Sequence, residues 1–464
     1  MKKAIVLVLV LTLLILGAYL GFGLLARKNY AMALAELQAN FPGQIESSYN
    51  QGLFTSDLSI TLDIPIPNSN PGTSNTIPTK ISQTIHHGPF IFSKQSQNTP
   101  LFTPVQLYAH GVLEVEPFMA NEPPFVTKLR QLATTEITVH APIKGRSKVV
   151  FNGKPLQTTL PIGTETFNLN WQGFIGTLSL EGNNLRTYDL DFRAPGLEVR
   201  GTNSAGIVID EITTHAKMRE GSHNLSLGTI ITALAKCEIT LGSKPEEKIA
   251  MNGLNVRITS TEKDALLQVE EEINLNHLQI TDKMFGPGNL KISLTNLDAQ
   301  TVAKLTEAYK ALQADPGKSE VMALSILSNH AAALLAKSPE IRVENFSLAS
   351  PEGAGLATGH IAFDGAGEVI MNPLFLLGRL SAEANFSADE HFMAVQLKNI
   401  LKENLCSQAP DPACDQEAAR ASSKELQGLI EQNILLLTGG KYTMTASFKN
   451  GQAMLNGQPV PLSF

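Results

Sequence analysis

Apolar positions fall along this chain in three successive patterns: one unbroken run, a long stretch of alternation, and a region where helical spacing joins the alternation. The run is Ala4–Ala26, which carries no charge. At about 1.5 Å per residue it predicts a helix of roughly 34 Å, enough to cross a hydrocarbon core of about 30 Å. Lys2 and Lys3 precede it, Arg27 and Lys28 close it, and the next basic side chain is Lys80. That asymmetry predicts a single-pass inner-membrane anchor with a cytoplasmic amino terminus and a periplasmic body. Ala4, Leu14, Gly17, Gly21 and Ala26 mark the span. A cleaved signal peptide is the competing reading, but its apolar region spans about 7–15 residues and ends at a small-residue site. Here Ala33-Leu34-Ala35 lies well past the run. Gly17-x-x-x-Gly21 would let two such helices pack closely, so a homodimer is a further expectation.

Helix-favouring residues continue through Asn29–Phe41 until Pro42-Gly43 stops them, which predicts a stalk that lifts the body off the membrane. Alternation then takes over: Ile60, Leu62, Ile64 and Ile66; Val105 through Val115; Phe167, Leu169 and Trp171; Leu190 and Phe192. Period two with Gly and Pro punctuation predicts a long antiparallel meander with one apolar face. Asn68–Pro78 reads as a loop and Asn252-Gly253 as a tight hairpin turn. Helical spacing appears up to about Gln313, in Ser319–Ala336, in Ala388–Asn404 and in Asp415–Leu437. Strands close the chain through Asn450-Gly451 and Asn456-Gly457. The expected fold class is α+β: an anchor (1–28), a stalk (29–43), a β-rich antiparallel region (44–295) and a mixed helix and strand region (296–464) on the same large, curved sheet.

Composition narrows the function. A hydrophobic content of 43% with 17% charged residues is that of a folded chain. Formal net charge is −7 over the chain. With the four basic residues of 1–28 set aside, 32 basic face 43 acidic side chains, a net of −11. A body that acidic is a poor nucleic-acid binder. Cys406 and Cys414 flank a loop holding Pro410 and Pro412 and are expected to pair in an oxidising compartment, while Cys237 reads as a small buried hydrophobe. No spacing suits a metal: His86 and His87 point to opposite faces of a strand. Asp189 and Asp191 share an exposed face, and Glu270-Glu271-Glu272 reads as a solvated turn or strand end. Nucleophile elbow, zinc-protease motif, phosphate loop and dinucleotide fingerprint are all missing. Neither a catalytic residue nor a cofactor is expected.

The clearest local signature is Ser48-Tyr49-Asn50-Gln51-Gly52-Leu53-Phe54-Thr55-Ser56. Gly52 is expected to supply a left-handed turn while Tyr49, Leu53 and Phe54 hold the first strand to the stalk. A Tyr-x-x-Gly-(aromatic or Leu)-Phe-x-Ser stretch just after an N-terminal anchor resembles the YdgA-like family of bacterial inner-membrane proteins of unknown function. His87-Gly88-Pro89 matches the HGP that this family tends to carry next. Gly440-Lys441-Tyr442 through Asn456-Gly457-Gln458-Pro459 is similar to its closing hairpin. The resemblance runs along nearly the whole chain, with Leu53 where many members have Trp. It implies an anchored envelope protein with Tyr49, Gly52, Phe54, Ser56, His87, Gly88 and Pro89 as structural residues, and it assigns no activity. In architecture alone the chain is similar to the AsmA-like envelope proteins, associated with outer-membrane maintenance and lipid movement.

The leading expectation is therefore a non-enzymatic envelope protein that handles a lipid on an apolar sheet face. A dimeric assembly scaffold and an envelope hydrolase with an unfamiliar site are the alternatives.

Overall fold

The computed structural model describes residues 2–40, 44–65, 76–88, 105–116, 124–162, 165–181, 184–202, 205–242, 248–313, 325, 328, 330–367, 369, 371–405 and 412–461, with the side chains of 2–13, 36, 39, 40, 65, 105, 106, 124, 125, 129, 162, 184, 185, 310–313, 373, 403–405, 412 and 413 outside that set. The chain divides into two compact units: Met1–Glu220 with Thr306–Leu324, and Gly221–Leu305 with Ser325–Phe464.

The first unit opens with α1 (Lys2–Asn40). Its strands are β1 (Ile45–Gln51), β2 (Thr55–Pro65), β3 (Thr76–His87), β4 (Val105–Val115), β5 (Thr135–Pro142) and β6 (Arg146–Gly153), with α2 (Pro124–Ala133) before β5. There follow β7 (Leu156–Ile162), β8 (Glu165–Trp171), β9 (Phe174–Glu181), β10 (Asn184–Gly201) and β11 (Gly206–Glu220). Strands β1 to β6 pair in chain order, and β6 then pairs with β9. One edge of β10 serves β9 along its first part and β8 along residues 197–201, and β11 pairs with β10 as well. Every pairing described here is antiparallel, as two-residue turns and alternating faces require.

The second unit is a meander. It runs through β12 (Ser226–Thr240), β13 (Lys248–Lys263), β14 (Leu266–Ile280), the short β15 (Lys283–Phe285), β16 (Gly288–Asp298), β17 (Glu340–Ser350), β18 (Gly353–Phe363) and β19 (Leu380–Asp389). The end of the chain adds β20 (Leu436–Thr438), β21 (Lys441–Lys449), β22 (Gln452–Leu455) and β23 (Gln458–Val460). Four helices interrupt it: α3 (Ala299–Gln313), α4 (Pro373–Arg379), α5 (Glu390–Leu405) and α6 (Pro412–Glu431). Asp298 caps α3, its carboxylate accepting from the Thr301 backbone N–H at 2.9 Å. Asn450-Gly451 and Asn456-Gly457 take positive φ, the conformation that two-residue hairpins need.

Three expectations change. Asn252-Gly253 is not a hairpin turn but lies inside β13, where Gly253 at φ +66° interrupts the ladder next to Asn276. The turn that joins β13 to β14 is Asp264-Ala265, both with positive φ. The stalk does not stand free: α1 is one continuous helix, and its second half lies on the first sheet, packing Tyr30 and Leu37 against Leu58, Ile60, Leu62, Ile85 and Ala109. Among the described residues no helix is long and apolar enough to cross a membrane. The loop expected at Asn68–Pro78 falls outside the described residues up to 75, and 76–78 belong to β3. Most of the helix expected at Ser319–Ala336 lies outside them too.

Candidate functional site

Two places in the molecule gather residues that could matter chemically, one in each unit.

In the first unit the signature residues meet under α1. One stripe of that helix, Tyr19, Gly23, Ala26, Tyr30 and Leu37, recurs at helical spacing and faces the sheet. The rings of Tyr19 and Phe54 meet edge to face at 4.9 Å, and those of Tyr30 and Tyr49 stack at 5.4 Å. Gly23 is required by close approach: a Cβ there would sit 2.7 Å from Cε1 of His87. Gly88, at φ +133°, lies against the Tyr19 ring. Ser56 Oγ and His87 Nε2 are 3.1 Å apart, and both side chains are 1% exposed. Gly52 has no left-handed backbone, contrary to expectation; its N–H donates to the Thr55 carbonyl at 2.8 Å, and that carbonyl leaves no room for a side chain.

A serine and a histidine at hydrogen-bond distance are the first two parts of an acyl-transfer site. The third part is missing here. Of the groups that act on the His87 ring none is a carboxylate. Burial pushes the imidazole below its ordinary pKa, against the Tyr19 and Thr55 backbone carbonyls, which favour the charged ring. Both residues are buried where α1 crosses β2 and β3. The pair's geometry is that of a clasp that fixes the helix to β2 and β3.

In the second unit the site is a surface. Paired residues of an antiparallel ladder share a face. One face carries Ile258 on β13, Ile273 on β14, Leu290, Ile292 and Leu294 on β16, Ile341, Val343 and Phe346 on β17, and Ile361 on β18, joined strand to strand by direct pairing. Near β19 and β21 this face is covered by α5 and α6, where Leu426, Tyr442, Phe386, Met393 and Met444 form a core. Between that end and the α3 end, where Leu267 of β14 is buried with Ala299, it is open: Ile341 is 45% exposed, Phe346 51% and Ile361 47%. Large contiguous apolar patches are uncommon on folded monomers and are frequent at interaction surfaces.

The opposite face of the same strands is polar. Asn289 donates to Asn274 at 2.7 Å, and Asn345 donates to Asn289. Lys291 bridges Glu270 and Glu344. Glu340 pairs with Arg342 and, at 2.7 Å, with His360, lining a shallow hollow of about 560 Å³ with Glu383 and Asn385. The hydrogen bond from Arg342 holds the Glu340 carboxyl below the usual carboxylate range. These acids are committed to neighbouring cations, and among the described residues no group of three or more His, Cys, Asp or Glu is placed to hold a metal.

Other expected residues lie apart from both places. Leu14 is exposed, and no atom lies within 4 Å of where a side chain would begin at Gly17 or Gly21. Ala26 is buried in the clasp. The side chain of Ala4 and the residues Pro89 and Cys406 lie outside the described residues; Cys414 is in the first turn of α6. Cys237 is a free, partly buried thiol on β12. The Glu270–Glu272 run is mid-strand rather than a turn, so Glu271 alone points to the apolar face. Residues that sequence reasoning passed over are Tyr19 and Gly23, both hidden inside the apolar run.

A family model described as bacterial protein of unknown function (DUF945) matches residues 1–463. No curated protein matches the chain.

Proposed function

We infer a role from the molecule's own surfaces, because the chain belongs to the DUF945 family of bacterial proteins of unknown function, and that membership assigns no activity. The protein is an envelope component, tethered to the inner membrane by its N-terminal helix, that holds acyl chains of a lipid on the open apolar face of β13–β18. It acts by binding rather than by catalysis. The observation that carries this reading is the exposed row of Ile258, Phe346, Ile341 and Ile361 in a sheet whose far end is capped by helices in the ordinary way. Burying such side chains is worth about 1.5–3 kcal/mol each, and leaving them in water forgoes that gain. An acyl chain recovers it without needing a shaped pocket.

The tether and the body's placement outside the cytoplasm are supported by the charge-free run that follows Lys2-Lys3, whose Leu14 and Ile15 are exposed ahead of the turns that enter the clasp. Native mass spectrometry of the detergent-solubilised full chain with bacterial lipid extract tests the proposal. Retained phospholipid that is lost in the Phe346→Glu, Ile361→Glu double variant is expected. A wild-type chain that carries no lipid, or one that hides this face in a homodimer, overturns it.

A further inference from the structure

Glu271 is the one charged side chain within the open apolar row. It stands directly across from Ile258 on β13 and Ile292 on β16. Val269 and Ile273 flank it along β14, and Leu290 and Leu294 lie diagonally on β16. Ser260, the polar neighbour on β13, accepts from the Gly228 N–H through its hydroxyl at 3.0 Å and is thereby engaged. The basic side chains nearest in the ladder, Arg257 and Lys291, both stand across from Glu272 and so share the other face, where Lys291 pairs with Glu270 and Glu344. Among the described residues Glu271 makes no ion pair and no hydrogen bond.

In the open state water solvates this carboxylate, and it costs the fold little. Covering the row with hydrocarbon removes that water. A carboxylate left unpaired in an apolar contact costs several kcal/mol, more than one acyl segment recovers. Among the described residues the protein brings no cation to the spot, so a ligand that carries one is favoured there over a ligand that does not. We propose that Glu271 is the recognition point for the ammonium group of an aminophospholipid bound on the β13–β18 face. The inference rests on the lipid-binding reading above and adds its headgroup class. An ammonium would meet the carboxylate in a charge-assisted hydrogen bond, with the acyl chains along Ile292, Phe346 and Ile361. An anionic headgroup at the same place would put two like charges together in a desolvated site and be rejected.

The test offers the solubilised full chain equal amounts of dioleoyl phosphatidylethanolamine and dioleoyl phosphatidylglycerol and reads retained lipid by native mass spectrometry. Wild type is expected to favour the ethanolamine lipid by about tenfold, the ratio that corresponds to about 1.4 kcal/mol. Glu271→Gln, nearly isosteric, should bring the two lipids level while total lipid retained stays the same. Glu272→Gln, on the opposite face, should leave the preference intact. Equal retention by wild type, or a preference that survives Glu271→Gln, overturns the headgroup assignment and leaves lipid binding standing. Absence of any retained lipid overturns both.

Discussion

Strands β2–β4 and strands β14–β18 are written in the same alternation, yet their apolar rows meet opposite fates. In the first unit Leu58, Ile60, Ile85 and Ala109 are buried beneath α1. In the second, Ile341, Phe346 and Ile361 look outward, and cover arrives only toward the ends of the row, from Ala299 and Val302 of α3 over Leu267 and from α5 and α6 at β19 and β21. Alternation alone guarantees one greasy face; it is silent about what lies on it. Cover depends on a partner segment whose own stripe fits. Tyr19, Gly23 and Ala26 provide that for the first sheet, with Gly23 admitting the His87 ring against the helix backbone. Opposite β16 and β17 no such stripe is seated among the described residues.

This contrast can be broken most directly by truncation. Leu58→Ala in the covered face should cost about 2–5 kcal/mol of unfolding free energy, whereas Phe346→Ala in the open face should change it by less than about 1 kcal/mol. Denaturant melts of the two variants decide it. Comparable losses would mean that the second face is covered after all.

The helical cap at the far end of the second unit is sharpened by the cysteines. We expect Cys406 and Cys414 to be bridged, so that the double serine variant loses about 2–3 kcal/mol through the freed loop. Intact mass before and after reduction and alkylation checks the bridge. Three alkylated thiols without reduction would sink it.

The clasp comes next in size. Replacing His87 by Ala leaves Ser56 without its buried partner and should cost about 1–3 kcal/mol. Its pH behaviour follows from the sign of its shift. The folded imidazole titrates below its ordinary value, so below about pH 6.5 the unfolded chain binds more protons than the folded one. Stability contributed by neutral His87 is therefore complete above about pH 6.5 and declines as pH falls toward the folded pKa. His86 and His140 are shifted in the same direction by burial and share in the decline. His87→Gln should make the pH dependence shallower, read from melting temperatures between pH 4 and 8 at fixed salt. An unchanged slope would remove the buried histidine from the clasp.

The smallest effect is expected at the α3 cap. Asp298→Ala should lower stability by about 1 kcal/mol, because the Thr301 N–H loses its acceptor. Asp298→Asn should retain most of it.

Much of this protein was legible residue by residue. The alternation announced an antiparallel sheet, helix-favouring stretches announced α3, α5 and α6, and Asn450-Gly451 and Asn456-Gly457 announced the closing turns, although the last helix, expected to reach Leu437, ends at Glu431 and Leu436–Thr438 forms β20 instead. These are local properties, decided by side-chain period and by which residues tolerate positive φ. Asn252-Gly253 shows the limit, since the same dipeptide serves a turn or an interruption of a strand, and the register of β12, β13 and β14 decides which. The motif Tyr49 to Ser56 and His87-Gly88 could be picked out as a signature, but not as one clasp. Its partners Tyr19 and Gly23 are indistinguishable from their apolar neighbours until the helix is laid on the sheet. Likewise Glu271 reads as the middle of an acidic run until strand pairing sends it to one face and Glu270 and Glu272 to the other. Composition and period thus determine that a chain has apolar faces. Which of them is buried and which stays exposed is decided only by long-range packing, because burial is a property of two surfaces that fit and not of either sequence alone.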